Sequence, residues 1–188
     1  MLVASYNGKV VRFNEGGVRP MGRSATGVKA ITLEEDGQDR VIGTVCVEKN
    51  TDKTILVISE NGFGKRTPVD DENGEPIYRI TNRGGKGVKT IEITEKTGHL
   101  VGIEAVTDAD DLMLITKSGT AIRMDISTIR QTGRAAQGVK LIDLQKRNDS
   151  LMSGCIVPKD EEESEMSAEE PLNDENGENA ENNNETNE

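Results

Sequence analysis

Three similar phrases in this chain limit what it can fold into. Each is rich in Gly and Arg, each ends in Gly-Val-Lys, and they occupy residues 21–29, 81–89 and 132–140. A period of roughly 50 to 60 residues indicates an array of one structural unit, so the fold must be read unit by unit. A basic residue fixed within the unit then recurs three times in space, as a row.

Each unit contains four short apolar runs, which predict four β-strands. The first two runs flank a turn at Asn7-Gly8, at Asn61-Gly62 and at Ser118-Gly119. Asn-Gly favours a hairpin because both residues tolerate positive φ. A third run, at 28–33, 88–93 and 139–144, alternates apolar and polar residues. Four strands per unit predict an all-β, propeller-like array of three four-stranded blades, with repeats at about 1–47, 54–106 and 111–157.

Charge is divided unevenly along the chain. The formal net charge is −11, but residues 159–188 hold thirteen acids and one base, whereas residues 1–158 hold 22 bases and 21 acids. The sequence therefore predicts a near-neutral folded domain at 1–158 followed by an acidic tail at 159–188. Large apolar residues are almost absent from the tail, so we expect it to be disordered.

Cysteine usage and hydropathy argue against a disulfide-stapled protein and against a membrane-spanning one. Cys46 and Cys155 form no CxxC pair and lie in apolar runs, which predicts buried, reduced thiols. No apolar run is long enough to cross a bilayer and no signal peptide is present, so we expect a cytoplasmic protein without a membrane partner. The acidic insertion at 70–76 is predicted to be an exposed loop.

Candidate catalytic and metal-binding residues are few. His99 is the single histidine and lies in a predicted turn, where we expect it to be solvated. One histidine and two separated cysteines predict no metal site. Tyr6 and Tyr78 have no base and oxyanion donors near them in sequence, so no catalytic residue is predicted. Four aromatic residues in 188 also argue against recognition of single strands by base stacking.

Three positions of the unit are always basic, and no position is acidic in all three units. The basic columns are Arg12, Arg66 and Arg123; Arg23, Arg83 and Arg134; and Lys29, Lys89 and Lys140. Lys65 lies beside Arg66, and Lys86 lies in the second Gly-rich phrase. Along one curved edge, such side chains would neutralise successive phosphates of duplex DNA and release counterions. We therefore predict that these eleven residues bind DNA.

Other interpretations of the columns stay open. An Arg at a blade corner can donate hydrogen bonds to carbonyls of the next blade, and the Lys stems can lie along the core with only the ammonium in water. The columns can also bind another anion or a protein partner. The Gly-rich phrase at 82–87 is a weak candidate for nucleotide binding, because it lacks a Lys-Ser/Thr ending and a following helix.

The recurring phrases closely resemble those of a known family. The matching segments are Met-Gly-Arg-Ser-Ala-Thr-Gly-Val-Lys at 21–29, Asn-Gly-Phe-Gly-Lys-Arg-Thr at 61–67, and Gly-Arg-Ala-Ala-Gln-Gly-Val-Lys at 133–140. They resemble the later repeats of the C-terminal domain of the bacterial gyrase A protein, the DNA-cleaving half of DNA gyrase. The resemblance covers residues 1–158 in register, and an acidic tail is typical of that protein.

The resemblance implies a fold, a function and partners. The fold would be a β-pinwheel, in which neighbouring blades exchange strands. Its basic perimeter would wrap duplex DNA and present it to the cleavage core for negative supercoiling, while the tail competes for the same rim. The chain would act on the chromosome, within an A2B2 complex of gyrase A and gyrase B that uses ATP and Mg²⁺. By itself it would be non-catalytic and would bind no cofactor.

Two departures from the family pattern modify this expectation. Family members usually carry six blades and this chain resembles the last three, so we expect a fragment of a longer protein or a piece that needs a partner. The family's Gln-Arg-Arg-Gly-Gly-Lys-Gly box is matched only in its second half, at 81–87. The alternatives are the corresponding domain of topoisomerase IV and a propeller-like scaffold for protein partners, whose binding would be insensitive to salt.

Overall fold

Among the described residues, eleven β-strands form most of the regular structure. The structure is a computed structural model that describes residues 1–35, 37–48, 51–144 and 148–159. The strands are β1 (Leu2–Ser5), β2 (Lys9–Arg12), β3 (Val41–Val45), β4 (Thr54–Ser59), β5 (Phe63–Pro68), β6 (Val88–Lys89), β7 (Leu100–Val106), β8 (Asp110–Thr116), β9 (Ala121–Asp125), β10 (Val139–Lys140) and β11 (Leu151–Pro158). Short 3-10 helices follow β2 at Glu15–Gly17 and β9 at Ile126–Thr128.

The chain divides after Pro158. Met1–Pro158 forms one compact body, and residues 159–188 are not part of it. Of these residues only Lys159 is described, so the disorder predicted for the acidic tail concerns residues outside the described ones.

Three antiparallel sheets follow one another along the chain, which confirms the all-β, propeller-like prediction. Their strand orders are β3-β1-β2-β6, β10-β5-β4-β7 and β11-β8-β9. Each unit supplies a hairpin and a returning strand to its own sheet. The fourth strand of the first sheet, β6, comes from the second unit, and that of the second sheet, β10, comes from the third. Neighbouring units therefore exchange strands, as the resemblance implied.

The strand exchange leaves the two outer units different from the middle one. Among the described residues, the third sheet has three strands rather than the predicted four. The segment 28–33, predicted as the third strand of the first unit, forms only an isolated bridge between Ile31 and Gly85. A strand needs a neighbouring strand to accept its backbone hydrogen bonds. β6 pairs with β2 and β10 pairs with β5, in each case in the sheet of the preceding unit. Among the described residues, no such sheet lies beside segment 28–33.

The hairpin turns lie where the sequence predicts them, with a different backbone geometry. Gly8, Gly62 and Gly119 have φ of +75°, +81° and +88°, but the residues before them do not have positive φ. Each glycine amide donates to the carbonyl three residues earlier, as from Gly8 to Ser5 at 3.0 Å. This is a turn followed by one left-handed residue, so only the glycine needs positive φ.

Apolar side chains are buried mainly between consecutive sheets, because alternate residues of a strand face opposite sides. Leu2 and Ala4 of β1 face the second unit, where they share a cluster with Ile55 and Val57 of β4. The other face of β4 carries Leu56 and Ile58, which pack with β8 of the third unit. We call these two contact regions the first and second joints.

Several side chains are placed differently from the predictions. Cys46 and Cys155 are exposed, so the prediction of buried thiols is wrong. Cys155 pairs with Met113 on the face of the third sheet that no described sheet covers. His99 is not a solvated turn residue: its ring stacks on Tyr6 with centroids 4.1 Å apart. Tyr78 is fully buried, although residues 71–76 before it form the exposed loop that was predicted.

Candidate nucleic-acid interface

Three loops, which we call the Gly-Arg loops, carry the middle basic column at residues 21–27, 81–87 and 132–138. The second and third of them are fixed to the preceding unit. The Thr81 amide donates to the Arg12 carbonyl and the Thr132 amide donates to the Arg66 carbonyl, both at 2.8 Å. Each of these loops then ends in the short strand that enters the preceding sheet, so the fold dictates where its basic side chains lie.

Glycines let these loops approach the preceding sheet closely. Gly87 and Gly138 have φ of +74° and +87°. A Cβ on Gly87 would lie 2.7 Å from the Val10 carbonyl oxygen, and one on Gly138 would lie 2.6 Å from that of Gly64. Both the backbone conformation and the space therefore require glycine at these positions.

Basic residues of adjacent units meet at each joint. At the first joint the Arg83 guanidinium donates to the Lys29 carbonyl at 3.4 Å. At the second joint the Arg134 guanidinium donates to the Lys89 carbonyl at 2.6 Å. One arginine and one lysine from consecutive units thus lie side by side twice, and this arrangement continues the positive charge from unit to unit.

Most members of the column of Gly-Arg loop arginines and of the column Lys29, Lys89 and Lys140 are accessible to solvent. Arg134 is half-buried, and the exposed members are Arg23, Arg83, Lys29, Lys89 and Lys140, together with Lys86 in the second Gly-Arg loop. Lys89 pairs with Glu92 at 3.2 Å and Lys140 with Asp143 at 3.6 Å. Both ion pairs are about half exposed, so they contribute little and a phosphate can compete with the carboxylate.

A fourth basic column escaped the sequence analysis. Arg19, Arg79 and Arg130 each precede the arginine of a Gly-Arg loop by four residues, and all three are exposed. Arg79 lines a groove of about 420 Å³ together with Arg83 and Lys86. The constant four-residue spacing was the signal that identifies this column, and a full alignment of the three units would have found it.

Arg12 and Arg66 do not belong to this surface, although both were predicted to bind DNA. The Arg12 guanidinium pairs with Asp70 at 2.8 Å and donates to the Tyr78 carbonyl at 3.2 Å. Arg66 donates to the Ile129 carbonyl at 2.7 Å and pairs with Asp108. Both are buried and reach from one unit into the next, as the alternative of a structural corner proposed. A phosphate has no access to either.

Arg123, the third member of that column, pairs with Asp111 of its own sheet at 2.7 Å. Its side chain is 31% exposed, compared with 9% for Arg12 and 6% for Arg66. No unit follows it among the described residues. Arg123 therefore pairs with a carboxylate of β8, whereas Arg12 and Arg66 bind groups of the next unit. We leave it out of the candidate interface.

Lys65 was also predicted to bind DNA and is fully buried. Its ammonium donates to the Gly133 carbonyl at 2.6 Å and to the Arg134 carbonyl at 2.5 Å, both in the third Gly-Arg loop. Burial, with a smaller effect of the Arg134 charge, lowers the pKa of Lys65 to about 8. Lys65 therefore fixes the backbone that carries Arg134 and does not itself face the solvent.

The accessible bases suit recognition of a polyanion. Guanidinium and ammonium groups on fixed loops neutralise phosphates without reading base sequence.

Among residues 1–35, 37–48, 51–144 and 148–159, no group of three or more His, Cys, Asp or Glu side chains is arranged to hold a metal ion. In the same residues no helix combines the length and apolar character needed to cross a membrane.

Comparison with known proteins gives a consistent family. The model of the family described as "DNA gyrase C-terminal domain, beta-propeller" matches residues 1–48, 53–107 and 110–154. The gyrase A protein of Staphylococcus aureus strain NCTC 8325 is 45% identical over 170 residues, and that of strain MRSA252 is 46% identical over 165 residues. These matches cover 90% and 88% of this chain but 18% of each relative, so the chain spans less than a fifth of their length.

Solved structures agree with the sequence comparison. A DNA gyrase A C-terminal domain superposes with a TM-score of 0.65 at 27% identity, over 81% of this chain and 48% of that one. The C-terminal domain of DNA topoisomerase IV gives a TM-score of 0.72 at 21% identity, over 89% and 49%, which is a likeness of fold alone. From the matched repeats, the exchanged strands and these relatives, the chain belongs to the DNA gyrase C-terminal domain, beta-propeller family.

Proposed function

We propose that this chain binds duplex DNA through its phosphate backbone and bends the duplex along the array, as part of the gyrase A protein of a DNA gyrase. The observation that carries the proposal is the meeting of Arg83 with Lys29 and of Arg134 with Lys89 at successive joints. The interface we propose consists of Arg19, Arg23, Lys29, Arg79, Arg83, Lys86, Lys89, Arg130, Arg134 and Lys140. It omits the buried Arg12, Lys65 and Arg66, and Arg123.

Contacts at both joints would make bending energetically accessible. Smooth bending of 20–30 base pairs by 40–90° costs on the order of 1–6 kcal/mol. Several phosphate contacts per unit, repeated around a curved edge, offset a cost of this size. The joints fix the backbone of the second and third Gly-Arg loops, so little loop ordering opposes binding there.

The rest of the proposal follows from family membership. In the cell we expect the chain to act on the chromosome with gyrase B and with the remaining part of a gyrase A protein. ATP and Mg²⁺ would act elsewhere in that complex. The 45% identity to the gyrase A protein of Staphylococcus aureus favours gyrase over topoisomerase IV, for which the likeness is one of fold.

Salt dependence of duplex binding tests the proposed contacts. Arg83→Gln and Arg130→Gln should each weaken binding by a similar factor on unrelated sequences, and each should reduce the slope of log K against log salt concentration by about 0.9. The matched controls are Lys53→Gln and Lys117→Gln, which remove one exposed charge outside the proposed interface.

Two results would contradict the proposal. Equal losses in the control and interface variants would mean that net charge, and not this edge, drives binding. Binding insensitive to salt would favour the protein-scaffold alternative. Fluorescence energy transfer between dyes at the two ends of a duplex measures bending separately from binding. An unbent duplex at saturating protein would contradict the proposed bending and leave the proposed binding intact.

A further inference from the structure

A buried cation lies beneath the third Gly-Arg loop. The Lys65 side chain extends from β5 and is fully buried. Its ammonium donates to the Gly133 and Arg134 carbonyls at 2.6 and 2.5 Å, and to the Thr67 hydroxyl at 3.3 Å. All three acceptors are uncharged oxygens, so these bonds hold the ammonium without neutralising its charge.

Two ionisable side chains in the described part of the chain lie around this cation. Arg134, from the third Gly-Arg loop, sets a second positive charge against it. Tyr78, which precedes the second Gly-Arg loop, interacts with the same Thr67 and bonds the Thr90 hydroxyl at 2.8 Å. Burial raises the pKa of Tyr78 above 10.0, so this phenol stays neutral where Lys65 titrates.

The first joint has an apolar residue at the equivalent position. Lys65 and Val11 each lie three residues after the turn glycine and at the same register of their hairpins. A Cβ on Gly138 would lie 3.4 Å from Lys65 Cβ, and one on Gly87 would lie 3.2 Å from Val11 Cγ2. The second joint therefore has a buried cation beneath its loop where the first has a buried valine.

The charges of Lys65 and Arg134 oppose each other. Burial, and to a smaller extent the Arg134 charge, lowers the pKa of Lys65 to about 8. The Arg134 guanidinium is half-buried and donates to the Lys89 carbonyl, on the edge proposed to carry DNA. A phosphate bound to Arg134 would offset the repulsion and attract the ammonium. Lys65 would then hold its proton more tightly.

We propose that Lys65 takes up a proton when duplex DNA binds at the second joint, and that the resulting charge makes it a positioning residue for Arg134. This inference rests on the proposed function, since it requires a phosphate at Arg134. The proton comes from solvent and adds to the neutral amine. A charged amine makes stronger hydrogen bonds to the two loop carbonyls than a neutral one. Arg134 is therefore held most firmly when a phosphate is bound.

Duplex affinity should then depend on pH as Lys65 loses its proton. Near pH 7 Lys65 is mostly protonated in the free chain, because its pKa is about 8, and little uptake accompanies binding. Above pH 8 the free amine is mostly neutral, so binding must also draw a proton from solvent. By linkage the affinity falls with rising pH in this window. We expect a fall of roughly two- to five-fold from pH 7 to pH 9, the size that one partly screened charge pair supplies.

The pH profile of binding is the first test. Fluorescence anisotropy with a labelled duplex, at constant ionic strength, gives the ratio of the affinity at pH 7 to that at pH 9. The ratio should be roughly two- to five-fold larger for the wild type than for Lys65→Met, since the other titrating groups are common to both. Val11 indicates that an apolar side chain can be accommodated at this position. Equal ratios overturn the proposal.

Calorimetry counts the protons directly. Titration of the duplex into the protein at pH 8.5, in buffers of different ionisation enthalpy, measures the net number of protons taken up on binding. The wild type should take up more than Lys65→Met. A merely structural role of Lys65 would change the affinity and leave the proton count unchanged, and that result would contradict the coupling.

Arg134→Gln and Arg83→Gln form a matched pair that keeps Lys65 in place. Each removes one arginine of a Gly-Arg loop, but the loop of Arg134 lies over Lys65 and that of Arg83 lies over Val11. The fall of affinity with pH should shrink in Arg134→Gln and persist in Arg83→Gln. Any other pattern overturns the assignment of the coupling to Arg134.

The proposed function and the coupling can fail separately. Duplex binding that is insensitive to salt at pH 7, where Lys65 is mostly charged, would contradict the proposed function and the coupling with it. Salt-dependent binding with the same pH profile in the wild type and in Lys65→Met would contradict the coupling alone.

Discussion

At the residue scale, burial of a charge makes stability depend on pH. The pKa of Lys65 is about 8 in the folded chain and 10.5 when unperturbed. Between these values the unfolded chain binds a proton that the folded chain does not, so the free energy of unfolding rises with pH in this window. Below pH 8 the ammonium is charged in both states, and the desolvation cost is fully present.

We predict that Lys65→Met removes this pH dependence. Between pH 8 and 10.5 the wild type should gain roughly 1–3 kcal/mol of stability relative to the variant. Urea denaturation of both proteins at several pH values measures the difference, and titration of the other lysines cancels in the comparison. Parallel stability curves would mean that the Lys65 ammonium is solvated.

Arg12 and Arg23 test the distinction between structural and accessible arginines. Arg12→Gln removes the pair with Asp70 and the bond to the Tyr78 carbonyl, so it should lower the free energy of unfolding by about 3 kcal/mol. Arg23→Gln, at an exposed position, should change it by less than about 0.5 kcal/mol. Chemical denaturation measures both.

DNA affinity should respond in the opposite order. At a temperature where both variants are folded, Arg23→Gln should weaken duplex binding and Arg12→Gln should not. A stable Arg12→Gln variant with impaired DNA binding would restore Arg12 to the interface, where the sequence analysis had placed it.

Among the secondary-structure elements, each joint depends on a short strand, β6 or β10. A glycine before the strand is required for its close approach to the preceding sheet. Gly138→Ala places a methyl group 2.6 Å from the Gly64 carbonyl oxygen in a backbone conformation that alanine avoids. The conformation costs about 1–2 kcal/mol and the clash adds about 1–3 kcal/mol. We therefore expect β10 to detach or shift, with a loss of about 3 kcal/mol.

Gly27→Ala is the matched control for this prediction. It has the same φ but meets no atom within 4 Å, so only the conformational cost of about 1–2 kcal/mol should remain. Equal losses would show that the backbone conformation, rather than the close approach, explains glycine at position 138.

For the molecule as a whole, we expect the uneven division of charge to lower its affinity for a polyanion. Residues 159–188 carry thirteen acids, whereas the bases and acids of 1–158 nearly balance. A tethered polyanion competes with phosphates for the same bases, so a chain ending at Pro158 should bind duplex DNA several-fold more tightly at low salt. The gain should shrink as salt screens both interactions.

A full-length variant with amides in place of the thirteen acids separates charge from bulk. It should bind DNA as tightly as the chain that ends at Pro158. Fluorescence anisotropy with a labelled duplex measures all three affinities, and unchanged affinity on removal of the tail would contradict the competition.

Many features of the fold were predictable because they recur in each of the three units. The three hairpin turns, the apolar run around Leu56 that forms β4 and the exposed loop at 71–76 follow from glycine placement, apolar runs and local polarity. Each depends on residues within one unit, so the physics that decides them is local. The fourth basic column is equally local, because its four-residue spacing from the arginine of the Gly-Arg loop lies within one unit.

An all-β array of three units and the periodic spacing of its bases can be read from the amino-acid pattern alone. Which of these bases reach solvent depends on how neighbouring units pack in the folded chain. Arg66 and Lys65 are buried and Arg83 is exposed because the neighbouring unit brings carbonyls, and for Arg66 a carboxylate, to the first two and covers little of the third. An amphipathic cation can lie in either environment, and the choice depends on a strand from another unit whose position no local pattern encodes.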